Sequence, residues 1–315
     1  FAAKRKFGHT RTKARQTTGM ALFNFGKAAW KPFWSHIFFR PAPQPELHVL
    51  ENVPSAALRR PVKVRLLLPP GYYETDRLYP SLYLNDGQDL EALRLQERLA
   101  KLYQKQAIAP FVLIALHAEE DRMQEYGTAG QLDYKKRGKK AAAYTRFVCE
   151  ELLPRLQRRY RLLKGPEHRA VAGFSLGGLS AFDIAWNRPE YFSRVGVFSG
   201  SLWWRDRAFD PQRPDANRIV HKMVERGPKR SGLKFWLQAG TKDETADRNN
   251  NGIIDAIDDT LGLIEALKRQ GYREGADIRY REVSGGRHNP QTWGKVLPDF
   301  LRWAFPPLVQ KATNE

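Results

Sequence analysis

A single cysteine, Cys149, is all that the 315-residue chain contains, so no disulfide can form within it and packing alone must hold its core. Cys149 shares an apolar helical face with Tyr144, Phe147, Val148 and Leu152, which reads as a core position. Acidic residues are absent before Glu46. In that stretch Lys4, Arg5, Lys6, Arg11, Lys13, Arg15, Lys27, Lys31 and Arg40 carry nine positive charges of a net +19. Such an arm suits an anionic polymer or a membrane surface, or it is a solvated tail. No RNA- or DNA-binding motif accompanies the charge, and nucleic acid is not expected as a partner. Long apolar runs are missing too: the stretch 20–39 is interrupted by Lys27, Lys31 and Pro32, too broken to span a bilayer. Its aromatics suit an interface or packing on the main domain. The chain opens on Phe1 rather than Met, which gives the expectation of a chain processed or trimmed, with an extracytoplasmic (periplasmic or secreted) location favoured.

What is present is an alternation of strand and helix, with no repeat and no second composition. Residues 1–45 read as a basic, aromatic-containing extension ending in the stiff linker Arg40-Pro-Ala-Pro-Gln-Pro45, residues 46–307 as the main domain and 308–315 as a tail. Strands are expected at 62–68, 80–84, 111–116, 170–174, 195–198, 233–239 and 278–283, with helices at 89–106, 139–160, 257–270 and 292–304. Pro154 should bend or restart the second of these helices. The order predicts a single α/β domain, a doubly wound and mostly parallel sheet with functional loops at the carboxyl ends of its strands.

One stretch organises the rest. The apolar run 170–172 feeds into Gly173-Phe-Ser175-Leu-Gly177-Gly178, and an amphipathic helical segment follows at once. Strand, sharp turn and helix around Gly-x-Ser-x-Gly lift one hydroxyl to the sheet edge, at a helix N-terminus whose N–H groups can hold an oxyanion. A serine hydroxyl needs a base, and in this architecture the chain order is Ser, acid, His. Of the two histidines after Ser175, His221 sits on a half-apolar helix and reads as structural. His288 lies in a glycine-flanked loop after the last strand, where the base belongs. Asp243, just after a strand, is the preferred acid over Glu244, and a Ser–His dyad without an acid is the alternative. The backbone N–H groups of Leu176 and Gln88 are the expected oxyanion donors. Tyr126, Trp203, Trp204 and Trp293 are candidate substrate contacts, or packing residues.

A second motif, Asp247-x-Asn249-x-Asn251-Gly252-Ile253-x-Asp255-x-x-Asp258, follows a calcium-loop template with the carbonyl of Ile253 at position seven. Position twelve is Asp rather than Glu and no helix precedes the loop, so an Asn/Asp-rich turn capping the next helix stands beside the metal reading. Any calcium ion here would be structural; the chemistry itself needs no cofactor.

Several segments together carry a family resemblance: Asn85-Asp-Gly-Gln88 after a strand, Arg122-x-x-Glu125-Tyr126-Gly127, the Gly-Phe-Ser-Leu-Gly-Gly turn, Ser199-Gly-Ser-Leu-Trp-Trp204, Ala239-Gly-Thr-Lys-Asp-Glu244 and Gly285-Gly-Arg-His-Asn289 with Trp293. Over residues 60–305 the chain resembles the esterase D-like branch of the α/β hydrolases, the branch with feruloyl and acetyl-xylan esterases, siderophore esterases and S-formylglutathione hydrolase. The resemblance implies an α/β-hydrolase fold and hydrolysis of a small-molecule or carbohydrate ester through an acyl-enzyme, with Ser175, Asp243 and His288 at the triad positions. Acyl transfer by the same residues, and a binding protein that kept the fold and lost catalysis, are the alternatives. The basic arm has no counterpart in that resemblance.

Overall fold

A computed structural model describes residues 43–307; the basic arm up to residue 42, the interrupted apolar stretch 20–39 and the tail 308–315 lie outside the described residues. Eight strands form one sheet in the order β1-β2-β4-β3-β5-β6-β7-β8. They are β1 (Glu46–Ser55), β2 (Arg60–Leu68), β3 (Ser81–Asn85), β4 (Val112–Leu116), β5 (Arg169–Phe174), β6 (Arg194–Phe198), β7 (Lys234–Lys242) and β8 (Ile278–Arg287). β1 pairs antiparallel with β2, and β2 antiparallel with β4. Every pairing from β4 to β8 is parallel. Their connections carry α1 (Leu95–Gln104), α2 (Arg122–Glu125), α3 (Ala141–Arg146), α4 (Leu153–Arg159), α5 (Leu176–Asn187), α6 (Ile219–Arg226), α7 (Asp255–Arg269) and α8 (Pro290–Ala304). This is the α/β-hydrolase fold.

Both faces of the central strands are covered, which explains their unbroken apolar character. On one face Tyr83, Ile114 and Val171 pack under α3, α5, α6 and α7. On the other Leu82, Leu84, Ala170, Ala172 and Phe174 meet α1 and α8. The alternation along each strand is the period-two rule at work. Two expectations need correction. β1 was not anticipated: its Leu47 and Val49 are exposed at the sheet edge, and a bulge between Leu50 and Val53 blurs the alternation. The helix expected from residue 89 starts only at Leu95, because Gly87–Asp89 form a 3-10 turn and Arg94 is left-handed (φ 51°). Pro154 does restart a helix: the turn Phe147–Leu152 widens to π geometry before α4, where the missing proline N–H costs no bond. Among the described residues no helix is long and apolar enough to cross a membrane.

Candidate active site

Ser175 sits between β5 and α5 with φ 53° and ψ −122°, a backbone region that side-chain-bearing residues avoid at a cost of about 1–3 kcal/mol. The surrounding chain holds it there. Its N–H donates to Phe198 O at 2.9 Å, and its carbonyl accepts from Ser201 N and Gly178 N at 3.0 Å each. The turn is so tight that a Cβ on Gly173 would collide with the Gly177 carbonyl, and one on Gly177 would lie 2.5 Å from Asp86 Oδ2. Ser175 is half-buried, and its Oγ lies 3.4 Å from Ser201 Oγ.

The N–H of Leu176 opens α5 and so has no acceptor inside the helix. Facing it is the turn after β3. Asp86 is left-handed (φ 61°) and 1% exposed, and its two carboxylate oxygens take Arg122 Nε at 2.6 Å and Nη2 at 2.8 Å. Its backbone N–H donates to Tyr126 Oη at 3.0 Å. Asn85 ties the same turn to the elbow, donating from Nδ2 to Gly177 O at 2.8 Å and accepting from Tyr144 Oη at 2.7 Å. Gln88 is pinned through its side chain, with Nε2 donating to Asp86 Oδ1 and Oε1 accepting from Ala118 N, both at 3.0 Å. Its backbone N–H has no hydrogen-bond partner among the described residues. The sequence marks Asn85 and Asp86 only as part of the Asn85-Asp-Gly-Gln88 motif and Tyr144 only as an apolar helical position, and the pairing among them is visible only in the fold.

His288 lies between β8 and α8, exposed to solvent, its flanks fixed by short local bonds. Arg287 N donates to Thr292 Oγ1 at 2.9 Å, and Thr292 N to Asn289 Oδ1 at 2.9 Å, capping α8. The imidazole stands edge-to-face against Trp293, with centroids 5.1 Å apart at 80°. Trp293 in turn stacks on Phe174, the residue before Ser175, at 5.1 Å and 22°. Partial desolvation lowers the His288 pKa from 6.5; the carboxylate of Asp243 opposes this and the Arg122 cation adds to it. The Asp243 carboxylate accepts from Gly240 N through Oδ2 at 2.8 Å, and its Oδ1 is buried without a partner among the described residues. Glu244 looks elsewhere: burial raises its pKa, and Asp255 and Asp259 repel its charge. Among the described residues no hydrogen bond joins Ser175 to His288 or His288 to Asp243; catalytic contacts commonly tighten only with substrate bound. His221 is a buried neutral imidazole, its pKa pushed down to about 3 by burial and the neighbouring arginines, and it has no part in this cluster.

Of the aromatic candidates only Trp203 reaches solvent, at 37% exposure. Tyr126, Trp204 and Trp293 are buried and make packing contacts. Tyr126 holds the Asp86 turn, and Trp204 fills the space against Gly127 with Arg137 over its ring at 4.7 Å. In the 247–258 loop, Asn249 and Asn251 direct Nδ2 to Asp258 Oδ2 at 3.0 and 2.9 Å, while Asp247 accepts from the N–H groups of Asn251 and Gly252. The carbonyl-bearing Ile253 is exposed, and Asp255 is engaged by the Arg248 guanidinium at 3.1 Å. Among the described residues no group of three or more His, Cys, Asp or Glu side chains is arranged for a metal ion.

Residues 55–304 match the family model described as "Putative esterase". An uncharacterized Bacillus subtilis protein, YbbA, is 23% identical over 76% of this chain and 91% of its own length. The iron(III) enterobactin esterase of Dickeya dadantii is 28% identical over 51% of the chain, a match that spans only 35% of that relative. Among solved structures, a ferulic acid esterase superposes with a TM-score of 0.62 at 18% identity, covering 84% of this chain and 98% of that one. Shigella flexneri enterochelin esterase gives 0.65 at 21% identity, covering 85% and 59%. The family match over most of the chain, on a sheet that ends in a Gly-x-Ser-x-Gly elbow, places this protein in that esterase family of the α/β hydrolases, as a carboxylic ester hydrolase.

Proposed function

We propose that the protein is a serine esterase working through an acyl-enzyme on Ser175, with His288 as base, Asp243 as its orienting acid and the N–H groups of Leu176 and Gln88 as oxyanion donors. The observation that carries this reading is the strained Ser175 elbow beside two unengaged N–H groups. In this scheme Ser175 Oγ attacks the ester carbonyl as His288 takes its proton. His288 then passes that proton to the leaving alcohol, and water repeats the sequence to release the acid. Replacing Ser175 by Ala should abolish turnover of p-nitrophenyl acetate, and undiminished turnover would reject the reading.

For substrate, an aromatic acyl ester of the feruloyl or siderophore type is the proposal. Trp203, two residues along the chain from Ser201 and carrying Arg137 over its ring at 5.2 Å, offers an exposed, rigid aromatic surface. A panel of acetyl, feruloyl and catecholate-lactone esters, read as kcat/KM, tests this choice; equal values for all three would reject it. A structural calcium ion in the 247–258 loop is a separate proposal. It is supported by the spacing of oxygen ligands and by the gathering of Asp247, Asn249, Asn251 and Asp258, whose amides would turn their oxygens inward. A thermal midpoint unchanged between calcium and chelator would reject it.

A further inference from the structure

We infer that Trp293 is a positioning residue for His288, set by an anchor at Ser199; this rests on the serine-esterase reading above. The charges that act on the imidazole are those of Asp243, which raises its pKa, and Arg122, which lowers it, and among the described residues no hydrogen bond holds the ring. The contact that packs against the ring is Trp293, beside the orienting role proposed for Asp243. That indole is itself locked on three sides. Its Nε1–H donates to Ser199 Oγ at 2.9 Å, its face stacks on Phe174, and its backbone N–H closes the first turn of α8 on Asn289 O at 3.2 Å. Ser199 is a left-handed residue (φ 46°) at the end of β6, with its N–H on Gln238 O at 2.8 Å, so the anchor is as rigid as the sheet.

One aromatic side chain thus links the residue before the nucleophile, the base and the adjoining strand end. The imidazolium that forms when His288 accepts the Ser175 proton stays packed at right angles to the indole, in the orientation that contact sets. Because the indole is buried, at 6% exposure, it does this without touching substrate. Its contribution belongs in kcat.

The test compares Trp293→Leu, Trp293→Phe, Ser199→Ala and the double variant Trp293→Phe/Ser199→Ala on p-nitrophenyl acetate, with Ser175→Ala alongside. Trp293→Leu, which loses both ring and anchor, should lower kcat about 100-fold with KM within about threefold. Trp293→Phe keeps a ring but loses the anchor, so its kcat should lie about tenfold below the parent and above that of Trp293→Leu. Ser199→Ala should match it, and the double variant should be no worse than either single change, since both remove one interaction. Parent-level kcat in both Trp293→Phe and Ser199→Ala would overturn the assignment, whether or not Trp293→Leu folds. Losses carried in KM, or additive losses in the double variant, would overturn it too. An inactive Ser175→Ala beside fully active Trp293→Phe and Ser199→Ala would remove only the role of Trp293; an active Ser175→Ala would remove the esterase reading beneath it.

Discussion

The Arg122 guanidinium grips both carboxylate oxygens of Asp86, at 2.6 and 2.8 Å, and its charge helps lower the His288 pKa. One arginine therefore fixes the turn that presents the Gln88 N–H and also adds, after burial and Asp243, to the electrostatics of the proposed base. The planar fork is what holds a left-handed, buried aspartate in one orientation, and a lysine supplies the charge without the fork.

Arg122→Lys and Arg122→Met should consequently differ in kind. Both should lower kcat, by about 10-fold or more, as the oxyanion turn loosens. Only Arg122→Met removes the cation that lowers the His288 pKa, so only there should that pKa rise. A base must be neutral to accept a proton, so the acid limb of the kcat/KM profile should move to higher pH in Arg122→Met and stay in place in Arg122→Lys. For the parent protein the limb should fall below the ordinary imidazole value of 6.5, since desolvation of His288 outweighs Asp243. Initial-rate profiles between about pH 4 and 9 check all three statements.

Gly177→Ala offers a sharper probe of the same contact. The new Cβ would stand 2.5 Å from Asp86 Oδ2 and 3.2 Å from Asn85 Cβ, so the strand-end turn must retreat from the elbow. Activity should fall by about 100-fold or more while the fold persists, because the displaced turn carries the proposed oxyanion donor Gln88. Circular dichroism beside p-nitrophenyl acetate kinetics would show the separation, and parent-level kcat would contradict it.

The elbow was legible in the sequence because its demands are local: only glycine fits at 173 and 177, and a strand pattern on one side meets a helix pattern on the other. The Asp86–Arg122 pair was not, since nothing in the spacing of residues 86 and 122 states that the ends of β3 and β4 meet. The tryptophans show a different limit. Trp203 and Trp204 are adjacent in sequence, yet one is 37% exposed and the other fully buried. Aromatic residues suit a core and a binding wall equally well, and only the packing of Gly127 against Trp204 separates the two. β1 escaped notice for the opposite reason: an edge strand with outward Leu47 and Val49 lacks the polar-out alternation that marks a half-buried strand.

Asp183 predicts a pH dependence of stability unrelated to catalysis. It is buried in α5, accepting from Ala129 N at 2.8 Å and Asn187 Nδ2 at 3.0 Å, and burial pushes its pKa up to about 7 from 3.8. The folded state thus binds this proton more tightly than the unfolded chain, so the group favours folding below about pH 4 and loses that contribution as pH rises toward 7. Asp183→Asn carries no such titration. Its unfolding free energy relative to the parent should grow with pH between about 4 and 8, by up to about 4 kcal/mol, while the weakened hydrogen bonds lower it by a constant amount at every pH. Urea unfolding at a series of pH values measures the difference directly, and a pH-independent gap would contradict it.

The choice of acid can be settled by two isosteric changes. Asp243 lies close enough to His288 to raise its pKa, and keeps Oδ1 buried and free of partners among the described residues. Glu244, the neighbouring carboxylate, is instead crowded by Asp255 and Asp259. If Asp243 holds the imidazole in its working tautomer, Asp243→Asn presents an amide that favours the wrong one, and kcat should fall by about 10³- to 10⁴-fold with KM little changed. Glu244→Gln should stay within about twofold of the parent, as expected of a carboxylate that does not act on the base. A loss of less than about tenfold in Asp243→Asn, with Ser175→Ala inactive, would instead point to a serine–histidine dyad whose imidazole is oriented by its packing on Trp293 alone.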